Sequence, residues 1–407
     1  MRVLVTDLSH DDVAKVENAL ACPFDVVVGP EKSRSARCCT GCFGCWLKTP
    51  GVCVIPDGLR DMGPLFAAAD ELWIVSDGTF GSLSFPVKKA LDRALGYLHP
   101  YFEIRNQEMH HRRRHENILH MHVLAYGCQS ALERDAVQEI AQANALNYDA
   151  DLREVSFFED DRALIEGVPL SFSETDTSSR EPGDVCRTAD VRGKVLLIGA
   201  SPKAKGGATG DLLTLLASDL ESRQIPVERM SCRNEREART MPRDHFDAVV
   251  LGFPLYVDAL PSHVVALVSS PEFAAAVQGA RVYAVSNCGF YEGRQISPAF
   301  AVLRNACDAL GAHWSGGVMV GAGGMIEPTQ AVPWERWPKR RLSSDMNYLA
   351  AAIAEGRPCG SKVSGFPVTR TLYRITAEAY WRRVAKENKV PDLNARPTVH
   401  LDARDSR

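Results

Sequence analysis

Five of the twelve cysteines of this chain fall between Cys38 and Cys53, in the run CCTGCFGCWLKTPGVC. Cys39, Cys42, Cys45 and Cys53 are spaced C-x2-C-x2-C-x7-C. Four thiolates this close in sequence suit a 4Fe-4S cluster, because they must converge on one small cube. The same residues support three other readings. Cysteine beside Phe43, Trp46 and Pro50 packs as a small hydrophobe in an ordinary loop. Four thiolates also hold structural zinc, although two separated Cys pairs are the usual pattern for it. A reversible thiol–disulfide switch is the fourth reading. Cys38 is the extra thiol.

A second constellation lies at Ile198–Thr209, IGASPKAKGGAT. A strand runs into small residues and a helix begins near Thr209. Backbone N–H groups of such a turn, together with a helix N-terminus, favour a phosphate. Ser201 and Thr209 bring hydroxyl donors and Lys203 brings charge. The spacing fits neither Walker A nor G-x-G-x-x-G. The plain alternative is a strand-to-helix turn with Thr209 as N-cap. GFPLYVDALP (252–261) and SNCGFYEGRQ (286–295) follow two further strands. In doubly wound sheets, ligands bind outside the carboxyl ends of the strands. There the three loops would supply a phosphate cradle, and aromatics and backbone amides for a flat ring. Tyr256 and Phe290 are equally readable as core aromatics.

The elements that must place these residues alternate. In the first half, strands are expected at 3–7, 24–29, 71–76 and 118–127, with helices near 10–21, 59–69, 82–98 and 130–146. The second half repeats the rhythm, with strands at 194–201, 246–254, 279–287 and 312–321 and helices at 209–223 and 296–311. This alternation predicts two doubly wound parallel sheets, each a three-layer α/β/α domain. The expected boundaries are 1–170 for the first domain, a Ser/Thr/Asp/Pro-rich linker at 171–192, 193–330 for the second domain, and a helical extension at 331–407 made of two helices with no strand between them.

Two charged stretches read as surface. Ser82, Phe85 and Lys88 of GSLSFPVKKALDR stand where a loop at a ligand's edge would be, but the segment reads mainly as a helix with Lys88, Lys89 and Arg93 on its solvated face. The run His110-His111-Arg112-Arg113-Arg114-His115 is either an anion site, such as one for the 2′-phosphate of NADPH, or a solvated or salt-bridged loop, and the loop is preferred. Asp7, Asp11 and Asp12 close the first strand, where three carboxylates would repel a phosphate, so the first domain is expected not to bind a phosphate-bearing cofactor of its own.

With 407 residues and a net charge of −4, the chain has length for two domains and no electrostatic case for nucleic acid or an anionic membrane. No apolar run reaches bilayer length. The N-terminus reads as a strand and not as a signal peptide, so the expected location is cytoplasmic. There thiols stay reduced, which favours metal or redox chemistry over disulfides.

Residues 194–325 resemble the NADPH-dependent FMN reductase branch of the flavodoxin-like fold. The resemblance rests on GASPKAKGGAT, FPLY and NCGFYE. It implies FMN phosphate at Ser201, Pro202, Lys203 and Thr209. It implies ring contacts at Pro254, Leu255, Tyr256 and Val257, and at Asn287, Cys288, Gly289 and Phe290, with Glu292 capping the last loop. The cysteine run followed by ELWIVS and GTFGSLSFPVKKALDR resembles flavodoxin-like proteins that include iron–sulfur flavoproteins, which implies a 4Fe-4S cluster near FMN. Together these imply two tandem flavodoxin-like domains, paired as an intrachain pseudo-dimer or in a homo-oligomer. The implied function is an FMN-dependent NAD(P)H oxidoreductase with a small-molecule electron acceptor. The alternatives are an electron carrier for ferredoxin-like proteins and a non-catalytic flavin sensor.

Overall fold

The computed structural model describes residues 1–170, 193–203, 206–242 and 244–398, so the expected linker at 171–192 lies outside the described residues. The chain forms two compact units, Met1–Thr177 with Arg374–Arg407, and Ser178–Tyr373.

The first unit contains β1 (Arg2–Thr6), β2 (Val26–Val28), β3 (Glu71–Asp77), β4 (Leu98–Arg105), β5 (Glu108–Arg113), β6 (His120–Tyr126) and β7 (Asp151–Phe158). Five of these form one parallel sheet in the order β2-β1-β3-β6-β7. With the β4–β5 hairpin set aside, this is the 2-1-3-4-5 order of the flavodoxin-like fold. Parallel strands are covered on both faces, which explains the unbroken apolar runs of β1 and β3. The flanking helices are locally encoded. Ser9 caps the helix His10–Leu20 by accepting from Asp12 N, and Ser130 caps Ala131–Tyr148 by accepting from Glu133 N.

The hairpin corrects the reading of the basic run. His110–Arg113 belong to β5, paired antiparallel with β4, so the run is a strand and not a loop, while Arg112 and Arg113 are exposed and salt-bridged to Glu378 and Asp149. His110 and Arg114 are buried, and Arg114 donates to the carbonyls of Gly96, Leu393 and Ala395. Its charge is therefore used to bind backbone oxygens of the chain itself and does not form an anion site.

The second unit contains β8 (Val195–Gly199), β9 (Val227–Ser231), β10 (Ala248–Pro254), β11 (Arg281–Asn287), β12 (His313–Val320) and β13 (Gly360–Ser364). All are parallel, in the order β9-β8-β10-β11-β12-β13, so the same topology carries a sixth strand at one edge. Both units are thus flavodoxin-like α/β folds with a helical C-terminal extension. The extension departs from expectation in one respect: β13 lies between the helices Arg340–Ala354 and Arg370–Glu387. Its sequence GSKVS has no apolar alternation to announce a strand. It pairs because β12 offers an open edge and Gly316 lets the chain approach. A Cβ on Gly316 would lie 2.2 Å from the Gly360 carbonyl oxygen.

Candidate functional site

Four of the five clustered cysteines line one cavity of the first unit. Cys39, Cys42, Cys45 and Cys53 line a small hollow, partly open to solvent, together with Asp92 and Arg93. Cys38 is buried and does not line it. Among the described residues no three His, Cys, Asp or Glu side chains gather as a site for a single metal ion. Burial pushes the Cys39 thiol up to about 12, and the charges of Asp92, Cys53 and Cys42 add to the effect. Burial raises Cys45 well above its ordinary value, with Cys39, Cys53 and Cys42 again contributing. Four thiols around one space form a donor set that a cationic occupant would bind by displacing their protons. Four thiols are the donor set that a 4Fe-4S cluster uses.

The loop carrying these thiols is fixed by backbone contacts and aromatic packing. Gly51 N donates to Cys45 O at 2.8 Å and Cys53 N donates to Arg60 O at 3.1 Å. The Gly51 carbonyl lies so close to Gly96 that a Cβ there would be 2.3 Å from its oxygen. Trp46 is buried and its indole N–H donates to Leu98 O at 2.9 Å. Phe43 stacks on Trp46 at 5.3 Å, and Trp381 meets both rings edge-on. The C-terminal segment thus covers the cysteine loop within this unit.

The helix Phe85–Arg93 corrects a second expectation. Lys88, Lys89 and Arg93 are not solvated, being 0%, 1% and 2% exposed. Lys88 pairs with Asp92 one turn on. Lys89 donates to the carbonyls of Ser33 and Ala36 at 2.9 and 3.1 Å and sits over the Phe85 ring. Arg93 places all five of its N–H donors. Two go to Asp57 at 2.7 and 3.0 Å, two to the carbonyls of Arg37 and Ile55 at 2.7 and 3.3 Å, and Nε–H goes to Cys53 Sγ at 3.2 Å. Burial works against the Arg93 charge, but Asp57 and Cys53 outweigh it, and its pKa is raised. In sequence this helix shows only a charged, amphipathic pattern, so its part in the thiol cavity had no signal there.

At the carboxyl edge of the second unit's sheet, Asn287 ends β11 and joins two other loops. Thr209 Oγ1 donates to Asn287 Oδ1 at 2.7 Å, and Leu255 N donates to Asn287 O at 2.9 Å. The segments after β8, β10 and β11 therefore meet. The helix Ala208–Ser222 starts with Gly207 as N-cap (φ 104°), so Thr209 is a buried first-turn residue and not the cap. Ser201 and Pro202 are half-buried and Lys203 is exposed. His263 Nε2 lies 2.9 Å from Ala200 O, so that nitrogen carries the proton, and it holds the loop after β8. Beyond Pro254, Tyr256 and Ala259 exchange backbone hydrogen bonds around Val257 and Asp258, both left-handed at φ 44° and 53°. Two consecutive non-glycine residues in that region store strain, which concentrates at functional turns. Cys288 and Phe290 are buried, whereas Gly289 is exposed.

Residues of the extension brace this last loop, which the sequence did not signal. Tyr373 Oη donates to Gly289 O at 2.6 Å, Tyr291 Oη donates to Val368 O at 2.8 Å, and Arg370 pairs with Glu292 at 2.6 Å.

The equivalent edge of the first unit is built differently. Only Asp7–Ser9 separate β1 from its helix. Asp7 accepts from Asp77 N at 2.9 Å and from Tyr126 Oη at 3.0 Å, and burial pushes its pKa up. Asp11 and Asp12 lie in the first helical turn.

No protein-family model and no curated protein matches this sequence. Among solved structures, the Streptococcus pneumonia TIGR4 flavodoxin is 13% identical, over 40% of this chain and 97% of its own, with a TM-score of 0.26. A flavone reductase is 8% identical over 45% and 70%, with a TM-score of 0.27. The NAD(P)H:quinone oxidoreductase from Methanothermobacter marburgensis is 12% identical over 49% and 98%, with a TM-score of 0.22. Among the described residues no helix is long and apolar enough to cross a membrane.

Proposed function

We propose that the chain is an FMN-dependent NAD(P)H oxidoreductase that passes electrons to a small acceptor such as a quinone or a flavin. The observation that carries this reading is the junction at Asn287, which draws the loops after β8, β10 and β11 together at the edge where doubly wound sheets bind ligands. The ground around it is open. An added Cβ at Gly206, Gly210 or Gly289 would meet nothing within 4 Å. The phosphate falls to Ser201, Pro202, Lys203 and the first-turn N–H groups of the helix that Gly207 caps. The Thr209 hydroxyl is already given to Asn287, so its part is to lock the two loops together. Pro254, Leu255, Tyr256 and Val257 would border the ring on one side. Asn287, Cys288, Gly289 and Phe290 would border it on the other, with Glu292 bracing that loop. Bound FMN would supply hydride acceptance and electron delivery, while the protein positions the ring and excludes water.

FMN titration of the full chain, followed by flavin fluorescence, tests the reading. One FMN per chain is expected, with weakened retention in Asn287→Ala and Tyr256→Ala and oxidation of NADH or NADPH when a quinone is added. No FMN binding by the wild-type chain overturns it.

The thiol cavity favours a second reading, an iron–sulfur flavoprotein that carries electrons to ferredoxin-like partners. Cys39, Cys42, Cys45 and Cys53 would hold a 4Fe-4S cluster, which supplies one-electron transfer. Protein purified without oxygen and holding flavin, about four irons and matching sulfide per chain supports it. Slow turnover with NAD(P)H and fast reduction by a protein donor would separate it from the first.

A further inference from the structure

The run holds five cysteines, yet the cavity is lined by four, and the fourth comes after a seven-residue gap. The residue that fixes this fourth thiol is Arg93. Its side chain is 0% exposed, and its guanidinium is held by Asp57 and by the carbonyls of Arg37 and Ile55. With four donors committed to those partners, the fifth, Nε–H, is aimed at Cys53 Sγ at 3.2 Å. A planar fork held at both ends cannot turn away without breaking the other bonds. The Cys53 sulfur is thus placed before any cofactor arrives.

We propose that Arg93 is the positioning residue that selects Cys53 as fourth ligand of a cluster in this cavity and sets the cluster's reduction potential. The proposal rests on the cluster reading above. Reduction adds one electron to the cluster and its four sulfur ligands. A donor N–H on a ligand sulfur stabilises that added negative charge, so it raises the potential. Asp57 works in the opposite direction, because its carboxylate offsets the guanidinium charge at 2.7 Å.

The test uses the full chain, reconstituted with ferrous iron and sulfide without oxygen, for wild type, Arg93→Gln, Arg93→Lys and Asp57→Asn. Iron and sulfide content and the dye-mediated reduction potential are measured on each. The expected result is a cluster in wild type, a lower potential in both Arg93 variants and a higher potential in Asp57→Asn. Lysine keeps the charge but loses the planar fork, so Arg93→Lys separates the directed hydrogen bond from the charge should Arg93→Gln fail to fold. A purely structural role would move the Arg93 and Asp57 variants the same way. Loss of the cluster from folded Arg93→Lys, with retention in Asp57→Asn, supports the proposal in its stronger form. Unchanged potentials in cluster-bearing Arg93 variants overturn the role of Arg93 and leave the cluster reading standing. A wild-type chain that takes up no iron and sulfide overturns both.

Discussion

Lys88 and Asp92 meet inside the first unit with 1% of each side chain exposed, and the consequences of separating them can be worked out. A buried charge that loses the carboxylate paired with it keeps its desolvation cost and gives up that share of the attraction that offset it. Such single removals cost about 3–5 kcal/mol. Asp92→Leu should therefore lower the stability of this unit by about that amount. At about 1.4 kcal/mol per factor of ten, the slowest amides lose roughly two to three and a half powers of ten in protection. The reporters are the amides of Val3–Val5 in β1 and Leu72–Val75 in β3, which are essentially unexposed. The assay is native-state hydrogen exchange of the full chain read by mass spectrometry. The double variant Lys88→Met/Asp92→Leu removes both charges, and replacing a buried pair by apolar groups of similar volume is about neutral. It should recover most of the protection. A double variant as unstable as Asp92→Leu alone would refute the reasoning, because the cost would then lie in packing and not in a stranded charge.

Three further outcomes follow from individual contacts. Tyr373→Phe removes the hydroxyl bonded to Gly289 O; at about 0.5–1.5 kcal/mol for one hydrogen bond, FMN should bind roughly 2- to 12-fold more weakly. An unchanged dissociation constant would show that this bond does not order the loop for FMN. Gly96→Ala puts a Cβ 2.3 Å from the Gly51 oxygen and 2.7 Å from its carbonyl carbon, both backbone atoms. It should cost about 1–3 kcal/mol, seen as a lower urea midpoint, and an unmoved midpoint would count against the close approach. Burial, aided by Arg114, lowers His99 and His115 to about 4, and burial, aided by His110, lowers His111 to about 3. The unfolded chain takes up these protons first, near an ordinary pKa of about 6.5, so stability is complete above that pH and falls as pH drops toward about 4. Urea midpoints between pH 7 and 4.5 should show this slope, and His111→Phe should flatten it; a wild-type midpoint independent of pH would contradict it.

Sequence alone determined the fold, because the strands are buried on both faces. A parallel strand must be apolar nearly throughout, and VLV, LWIVS, AVVLGF and RVYAVS read as such without knowledge of their neighbours. The helix Ser297–Leu310 was equally legible, since Gly311 at φ 69° ends it by a local rule. Where long-range pairing makes the element, the signal was missing. The hairpin β4–β5 hides in a basic run, and β13 exists because β12 has a free edge. The candidate sites divide in the same way. Cysteine spacing and the small residues after β8 were visible because they lie close along the chain. That Thr209 spends its hydroxyl on Asn287 and that Tyr373 braces Gly289 were decided by segments far apart in sequence. The buried charges show the division most clearly. A run such as KKALDR reads as a solvated face, because burying a lysine or arginine is costly unless a partner waits for it. The partners of Lys89 and Arg93 are Asp57 and the carbonyls of Ser33, Ala36, Arg37 and Ile55, more than 35 residues away. Only the folded chain brings them within hydrogen-bond distance.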